Sequence, residues 1–262
     1  MTSQIGRLSR RFAKAVRVRS DRIGRAARPQ ELAHEAQAYW TSESDATTWS
    51  SDSHWRSGLG DEQWRAVGRE NLLIIQTLAQ GLGRVDELGT VLDWGCGGGA
   101  NAVAVAPFAE RLILADVAPQ SVAEAADQVR TASDVVVETL TIDLLDPERA
   151  ATTIEDTCDT FICLYVLELT ASVQDALRIV RIAKRTLRTG GIAIFQVKYR
   201  SSTRASGTVK RSYRRNLANM TIFPIDEFWT HLETAGLEPR LITLVPENEL
   251  DRNYAYFAAT RP

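Results

Sequence analysis

From Thr90 onward the chain alternates short apolar runs with amphipathic ones. TVLDWG (90–95), RLILADV (111–117), DVVVETLTID (134–143), DTFICLYV (159–166), GGIAIFQVKY (190–199), RLITLVP (240–246) and NYAYFAATR (253–261) read as seven strands. Between them ANAVAVAPFA, PQSVAEAADQVRTA, SVQDALRIVRIAKRTL and IDEFWTHLETAG carry apolar residues at helical spacing. Strand and helix alternating at this interval predict a parallel sheet covered by helices on both faces. A loop alone joins the last two strands, which predicts an antiparallel pair. The expected architecture is α/β: a seven-stranded, mostly parallel, doubly wound sheet with an antiparallel last strand, preceded by an N-terminal helical cap.

The cap follows from the pattern upstream. Residues 62–82 keep an apolar face through Trp64, Val67, Leu72, Ile75 and Leu78, and residues 31–40 also read as a helix. The stretch between them is rich in Ser, Thr and Asp, which alone suggests a linker. Four of the six tryptophans (Trp40, Trp49, Trp55, Trp64) nevertheless fall between 40 and 64, a density that argues for ordered packing. In residues 1–28, Ile5, Leu8, Phe12 and Val16 recur at helical spacing among nine Lys/Arg and one acid. Two readings stay open there: a basic amphipathic helix in peripheral contact with an anionic membrane, and a solvated basic tail. No apolar region follows SRRFAK, so an export signal is not expected.

Composition narrows the class. With 262 residues, 44% hydrophobic and 24% charged, the chain is an ordinary globular one, and no run approaches the ~20 apolar residues of a membrane span. Cys96, Cys158 and Cys163 lack CxxC spacing and a histidine array, so neither a zinc site nor a disulfide framework is expected. They read as reduced thiols of a cytoplasmic protein, with membrane association left open by the basic N-terminus. The net charge of −2 divides into +8 for residues 1–28 and −10 for the rest, which argues against a nucleic-acid partner.

The candidate chemistry begins at VLDWGCGGGAN, a buried strand, a glycine turn and a helix start. Glycine permits a sharp turn and a close ligand approach at the strand's C-terminal end, where open α/β sheets bind ligands. The second strand ends at Asp116, placed to accept both hydroxyls of a ribose, and the third at Asp143. Gly95, Gly97, Asp116 and Asp143 thus fall at three neighbouring strand tips within reach of one nucleoside. Both acids also precede helices and fit as N-caps. Gly95 to Ala100 satisfies the dinucleotide pattern G-x-G-x-x-A as well, so a dehydrogenase remains a rival; the lack of GK[ST] excludes a P-loop.

With Asp93 two residues before Gly95, DWGCGGG resembles the D/E-x-G-x-G-x-G signature of class I S-adenosylmethionine (SAM)-dependent methyltransferases. FICLYVLEL resembles that family's fourth strand, and LRTGGIAIF its turn into strand five. The resemblance implies SAM as cofactor. It places Asp93, Gly95, Cys96 and Gly97 around it, Asp116 on the ribose, Val117 by the adenine, and Asp143 with Leu144 near the adenine amino group. Cys163 joins this implied set, though it also reads as a small core residue. Many relatives carry a histidine after "LE"; here Leu169 follows Glu168. On this basis residues 86–262 form the SAM-binding domain with an acceptor insertion at about 199–220, residues 30–85 the cap, and 1–29 the tail.

The acceptor is encoded less plainly, because methyl transfer from a sulfonium chiefly needs positioning. The absence of a proline after strand four argues against base-amino methylation, and the lack of Pro-Cys against cytosine-C5 chemistry. A hydroxyl acceptor gains from a general base, and His54 in Ser-Asp-Ser-His-Trp-Arg is the candidate. Trp55, Arg56, Tyr165, Lys198 and Arg200 are candidate acceptor contacts. Arg200–Arg215 holds six Lys/Arg and no acid, which suits an anionic acceptor. The expected activity is O-methylation of a small molecule or glycan. The alternatives are RNA or protein methylation and a non-catalytic SAM-binding module. No residues fix a metal site.

Overall fold

A computed structural model describes residues 27–42, 60–84, 87–200, 210, 212–213, 220–248 and 252–262. The tail 1–26, the segment 43–59 with Trp49, His54, Trp55 and Arg56, and most of the basic stretch 201–219 lie outside the described residues. In chain order the helices are α1 (Pro29–Trp40), α2 (Asp61–Gly81), α3 (Ala100–Val105), α4 (Pro119–Ala132), α5 (Pro147–Thr152), α6 (Val173–Thr186) and α7 (Ile225–Thr234). The strands are β1 (Gly89–Trp94), β2 (Ala109–Asp116), β3 (Val136–Thr141), β4 (Cys158–Cys163), β5 (Leu187–Tyr199), β6 (Ile222–Phe223), β7 (Glu238–Glu247) and β8 (Arg252–Thr260).

The sheet runs β3-β2-β1-β4-β5-β8-β7. β1 to β5 pair in parallel, and β8 runs antiparallel to both β5 and β7. This is the expected doubly wound sheet with one addition. The two-residue β6 pairs with the end of β5, Lys198 opposite Ile222 and Tyr199 opposite Phe223. It is too short to show a period in the sequence. β4 is central and buried along its whole length, polar Asp159 and Thr160 included, whereas edge strand β3 is mostly exposed.

Successive strand residues feed opposite faces. Leu92, Ile113, Phe161, Phe195 and Phe257 pack with α6 and α7 on one side. Val91, Leu112, Leu114, Ile162, Ile194 and Tyr256 pack with α2, α3 and α4 on the other. Helix α2 is therefore built into the main core. Its buried stripe is Trp64, Gly68, Asn71, Ile75, Leu78 and Ala79, so Asn71 takes a core position that the sequence pattern gives to Leu72, which is half-buried. A Cβ on Gly68 would stand 2.2 Å from the Ala100 carbonyl oxygen, a measure of how closely α2 approaches the start of α3.

Helix α1 is fastened by side chains. Gln37 Oε1 accepts the Leu144 N–H at 2.8 Å, and Glu35 Oε2 accepts the Tyr213 N–H at 2.7 Å. Trp40 Nε1 donates to the Tyr213 hydroxyl at 2.7 Å, which itself donates to the Leu169 carbonyl at 2.6 Å. Helix α1 and the segment at Tyr213 are thereby tied to each other.

Candidate active site

The first crossover builds the floor of the site. After Asp93 and Trp94 the backbone enters the left-handed region at Gly95 (φ 79°), Gly97 (φ 52°) and Gly99 (φ 90°). The Gly95 and Cys96 N–H groups both donate to the Ala115 carbonyl, at 2.7 and 3.0 Å, which pins the turn to the end of β2. Glycine is required at 95 for a second reason. A Cβ there would lie 2.3 Å from Val166 Cγ2, so the exit from β4 presses directly on the turn.

Asp116 closes β2. Its Oδ2 accepts the Gly97 N–H and its Oδ1 the Ala118 N–H, each at 3.1 Å. The second bond is cap-like, yet the first ties the acid to the glycine turn, and the residue lines the cavity. Burial raises its pKa, against the lowering pull of backbone N–H groups at Ala118, Gly97 and Val117. Asp93, 1% exposed, is electrostatically harsher. Neither carboxylate oxygen finds a hydrogen-bond partner among the described residues. Burial first, then the nearby charge of Asp116, pushes its pKa from 3.8 up to about 7.

These tips open into a cavity of about 200 Å³. Gly95, Cys96, Gly97, Asp116, Val117 and Leu144 line it on the sheet side. Ala33, Ala36 and Trp40 of α1, Trp64, Val67 and Asn71 of α2, Leu169 and Tyr213 line it as well. Asn101, Tyr165, Asp175 and Arg178 supply polar wall. Arg178 is held by Glu148, its Nε 2.8 Å from Oε1, and by the Leu144 and Leu145 carbonyls.

Of the residues singled out in the sequence, Gly95, Cys96, Gly97, Asp116, Val117, Leu144 and Tyr165 meet in this cavity. The other described ones are placed elsewhere. Asp143 is exposed, and its Oδ1 accepts the Leu145 N–H at 2.9 Å. Cys163 is fully buried in the core, its thiol pKa pushed well up by burial and by Asp93. Lys198 turns its Nζ to the Arg252 carbonyl at 2.7 Å and over the Tyr254 ring. Arg200 is exposed at the end of β5. Of the other histidines, His34 is exposed and His231 packs beside Phe223; neither lines the cavity. Sequence reasoning missed Asn71, Asn101, Asp175, Arg178 and Tyr213. Asn71 had a signal: a polar residue four places from both Val67 and Ile75, in the middle of an apolar stripe. Among the described residues no His/Cys/Asp/Glu cluster could hold a metal ion, and no helix is long and apolar enough to cross a membrane.

The set fits a nucleoside bearing a positive charge. A carboxylate at a strand tip faces the cavity for a ribose, small and apolar side chains flank it, and a buried acid without a donor lies under the turn.

Comparison with known proteins agrees. Residues 92–195 match the family described as a methyltransferase domain. No curated protein sequence matches the chain. Among solved structures, the chain is similar to the magnesium protoporphyrin IX methyltransferase of Synechocystis PCC 6803 with bound SAM: TM-score 0.61, 17% identity, covering 91% of this chain and 100% of that one. It is similar to the 1,6-didemethyltoxoflavin-N1-methyltransferase of Burkholderia thailandensis with bound S-adenosylhomocysteine: TM-score 0.61, 17% identity, covering 91% and 92%. It is also similar to the N-methyltransferase NodS of Bradyrhizobium japonicum WM9 in complex with S-adenosylhomocysteine: TM-score 0.58, 17% identity, covering 88% and 99%. Residues 92–195 thus match a methyltransferase-domain family, within a chain whose Rossmann-like fold these SAM- and S-adenosylhomocysteine-bound structures share.

Proposed function

We propose that the protein transfers the methyl group of SAM to a hydroxyl of a small molecule or glycan. One observation carries this reading: a single cavity is lined both by the glycine turn and Asp116 and by Trp40, Trp64, Val67 and Tyr213. That leaves an aromatic-walled space beside a nucleoside cradle, suited to a compact ring.

When bound, SAM supplies a methyl group already activated by its sulfonium. The chain's own residues then bind, orient and exclude water. Asp116 receives the ribose hydroxyls, and its orientation is fixed by the Gly97 and Ala118 N–H bonds. Val117 and Leu144 flank the base. Asp93, beneath the turn, provides negative charge opposite a cationic ligand. A hydroxyl acceptor must also lose its proton, and His54 is the proposed acceptor of that proton.

A second reading, transfer to an amine, is favoured by two of the similar structures, which are named N-methyltransferases. An unprotonated amine needs no general base. The two readings separate in a matched assay with tritiated SAM, full-length protein and acceptor pairs differing only in hydroxyl or amine, such as phenol and aniline derivatives. Hydroxyl methylation that His54→Ala reduces while SAM affinity stays intact supports the first. Amine methylation that is indifferent to His54→Ala overturns it.

A further inference from the structure

Tyr165 leaves β4 with φ 60°, a left-handed conformation uncommon for a residue with a side chain. The sequence reads as strand through Val166, yet β4 stops at Cys163. Strain of this kind persists only where the surroundings impose it, and it gathers at functional sites. Here Gln196, fully buried on β5, accepts the Tyr165 N–H through Oε1 at 2.6 Å. Its Nε2 donates to Glu168 Oε2 at 2.9 Å, and Glu168 is itself buried. An amide clamped at both ends therefore holds the turn.

The clamp aims the phenol. Tyr165 Oη donates to Asn71 Oδ1 at 3.2 Å and lies 3.0 Å from the Tyr256 hydroxyl. Asn248 Nδ2 donates to it at 3.4 Å, and Asn71 Nδ2 donates onward to Asn101 Oδ1 at 2.8 Å. Tyr165, Asn71 and Asn101 all line the cavity. The next residue, Val166, abuts Gly95, so the backbone turn at Tyr165 runs beside the glycine turn. Every hydrogen-bonding head in this group is neutral. Among the described residues the cations nearby are engaged: Arg178 by Glu148, Lys198 by the Arg252 carbonyl and Lys210 by the Thr170 carbonyl.

We propose that Tyr165 and Asn71 bind an uncharged hydroxyl of the acceptor, and that Gln196, locked to Glu168, is the positioning residue that aims Tyr165 at it. This rests on the methyl-acceptor reading above and sharpens it. Among the described residues, a phosphate or carboxylate at this end would find neutral groups, the Glu168 carboxylate behind them and no cation of its own, which costs affinity. Selection for a neutral group follows from what the wall lacks as much as from what it offers.

The test uses the full chain saturated with S-adenosylhomocysteine, with phenol as the neutral probe and phenyl phosphate as the charged one. Binding is followed by the NMR signals of tyrosines labelled at the ring carbon bearing the hydroxyl. The expected result is saturable phenol binding that shifts the Tyr165 signal, with phenyl phosphate failing to compete. Tyr165→Phe weakens phenol binding about five-fold, the scale of one hydrogen bond, and the loss falls on phenol rather than on S-adenosylhomocysteine. Gln196→Glu gives a readout that a merely structural role would not move. The introduced carboxyl faces Glu168, the pair shares a proton, and the clamp survives only while that proton is held. Phenol affinity then approaches wild type near pH 5 and falls as the pH rises. Burial keeps the Tyr165 and Tyr256 phenols protonated through that range. No saturable phenol binding, equal affinity in Tyr165→Phe, or a pH-independent Gln196→Glu overturns the proposal. Should Gln196→Glu fail to fold, Tyr165→Phe decides alone. If wild type fails to bind S-adenosylhomocysteine, the methyltransferase reading is what has failed.

Discussion

Replacing Asp93 by Asn should make the ligand-free protein more stable at pH 8 while weakening its hold on SAM. The carboxyl is 1% exposed with no hydrogen-bond partner among the described residues. Its pKa is 3.8 in the unfolded chain and about 7 in the fold. A raised carboxyl pKa means that the folded state holds the proton more tightly than the unfolded state does. This contribution is complete below about pH 4 and is lost as the pH climbs to about 7. At about 1.4 kcal/mol for each pH unit between the two values, ionising buried Asp93 costs the fold up to about 4 kcal/mol at pH 8. An Asn side chain escapes that cost but leaves a poorly partnered amide, at about 1–3 kcal/mol. The net gain for Asp93→Asn is then about 2 kcal/mol at pH 8, or roughly 4–8 °C in melting temperature. At pH 5, where wild-type Asp93 is neutral, the variant should gain nothing and even lose a little. Thermal unfolding of both proteins from pH 5 to 8.5 reads this directly. A variant equally destabilised at both ends of the range would refute the reasoning.

The same carboxylate should earn its place only when ligand is bound. A cationic ligand over the turn draws the Asp93 pKa back down. SAM binding to wild type near pH 7 should then release a proton, visible in calorimetry as a heat that changes with the buffer's ionisation enthalpy. Asp93→Asn should abolish the release. Destabilised apo charge exchanged for affinity is the stability–function trade that active sites commonly show.

Three further outcomes follow from the geometry. Asp116→Ala removes the proposed ribose acceptor and leaves the Gly97 and Ala118 N–H groups without their partner; SAM affinity should fall by about 3 kcal/mol, over 100-fold, and an unchanged calorimetric Kd would remove Asp116 from the site. Gly95→Ala places a Cβ 2.3 Å from Val166 Cγ2 at φ 79°; SAM binding should be lost, with stability lowered by about 2 kcal/mol or more in denaturant titration, and wild-type behaviour would show that the turn tolerates what its geometry forbids. Tyr213→Phe deletes the hydroxyl between Trp40 and the Leu169 carbonyl; hydrogen exchange across Pro29–Trp40 should quicken several-fold while the central strands stay protected, and unchanged exchange would mean that α1 is held by other contacts.

Why the methyl donor was legible and the acceptor site was not has a physical answer. The proposed cofactor cradle is made of residues at neighbouring strand tips. Gly95, Gly97 and Asp116 are placed by backbone alone, so the strand period and a glycine spacing are enough to bring them together. Asp143 shows the limit of that logic: the strand order puts it at the right tip, but its side chain turns to the Leu145 N–H. Lys198 shows another, since strand position does not reveal which face a long side chain seeks, and this one lies over Tyr254. The acceptor wall is assembled differently. Asn71 comes from α2, Tyr165 from the β4 exit, Gln196 from β5 and Tyr256 from β8, joined by hydrogen bonds spanning 31 to 185 residues of sequence. No local period encodes such a set. What the sequence does carry is a trace of two members out of place: an Asn in an apolar helical stripe and a Gln in the middle of a buried strand. Buried polar residues are costly unless partnered. Two of them breaking two separate hydrophobic patterns therefore mark one network, and here that network borders the cavity proposed to hold the acceptor.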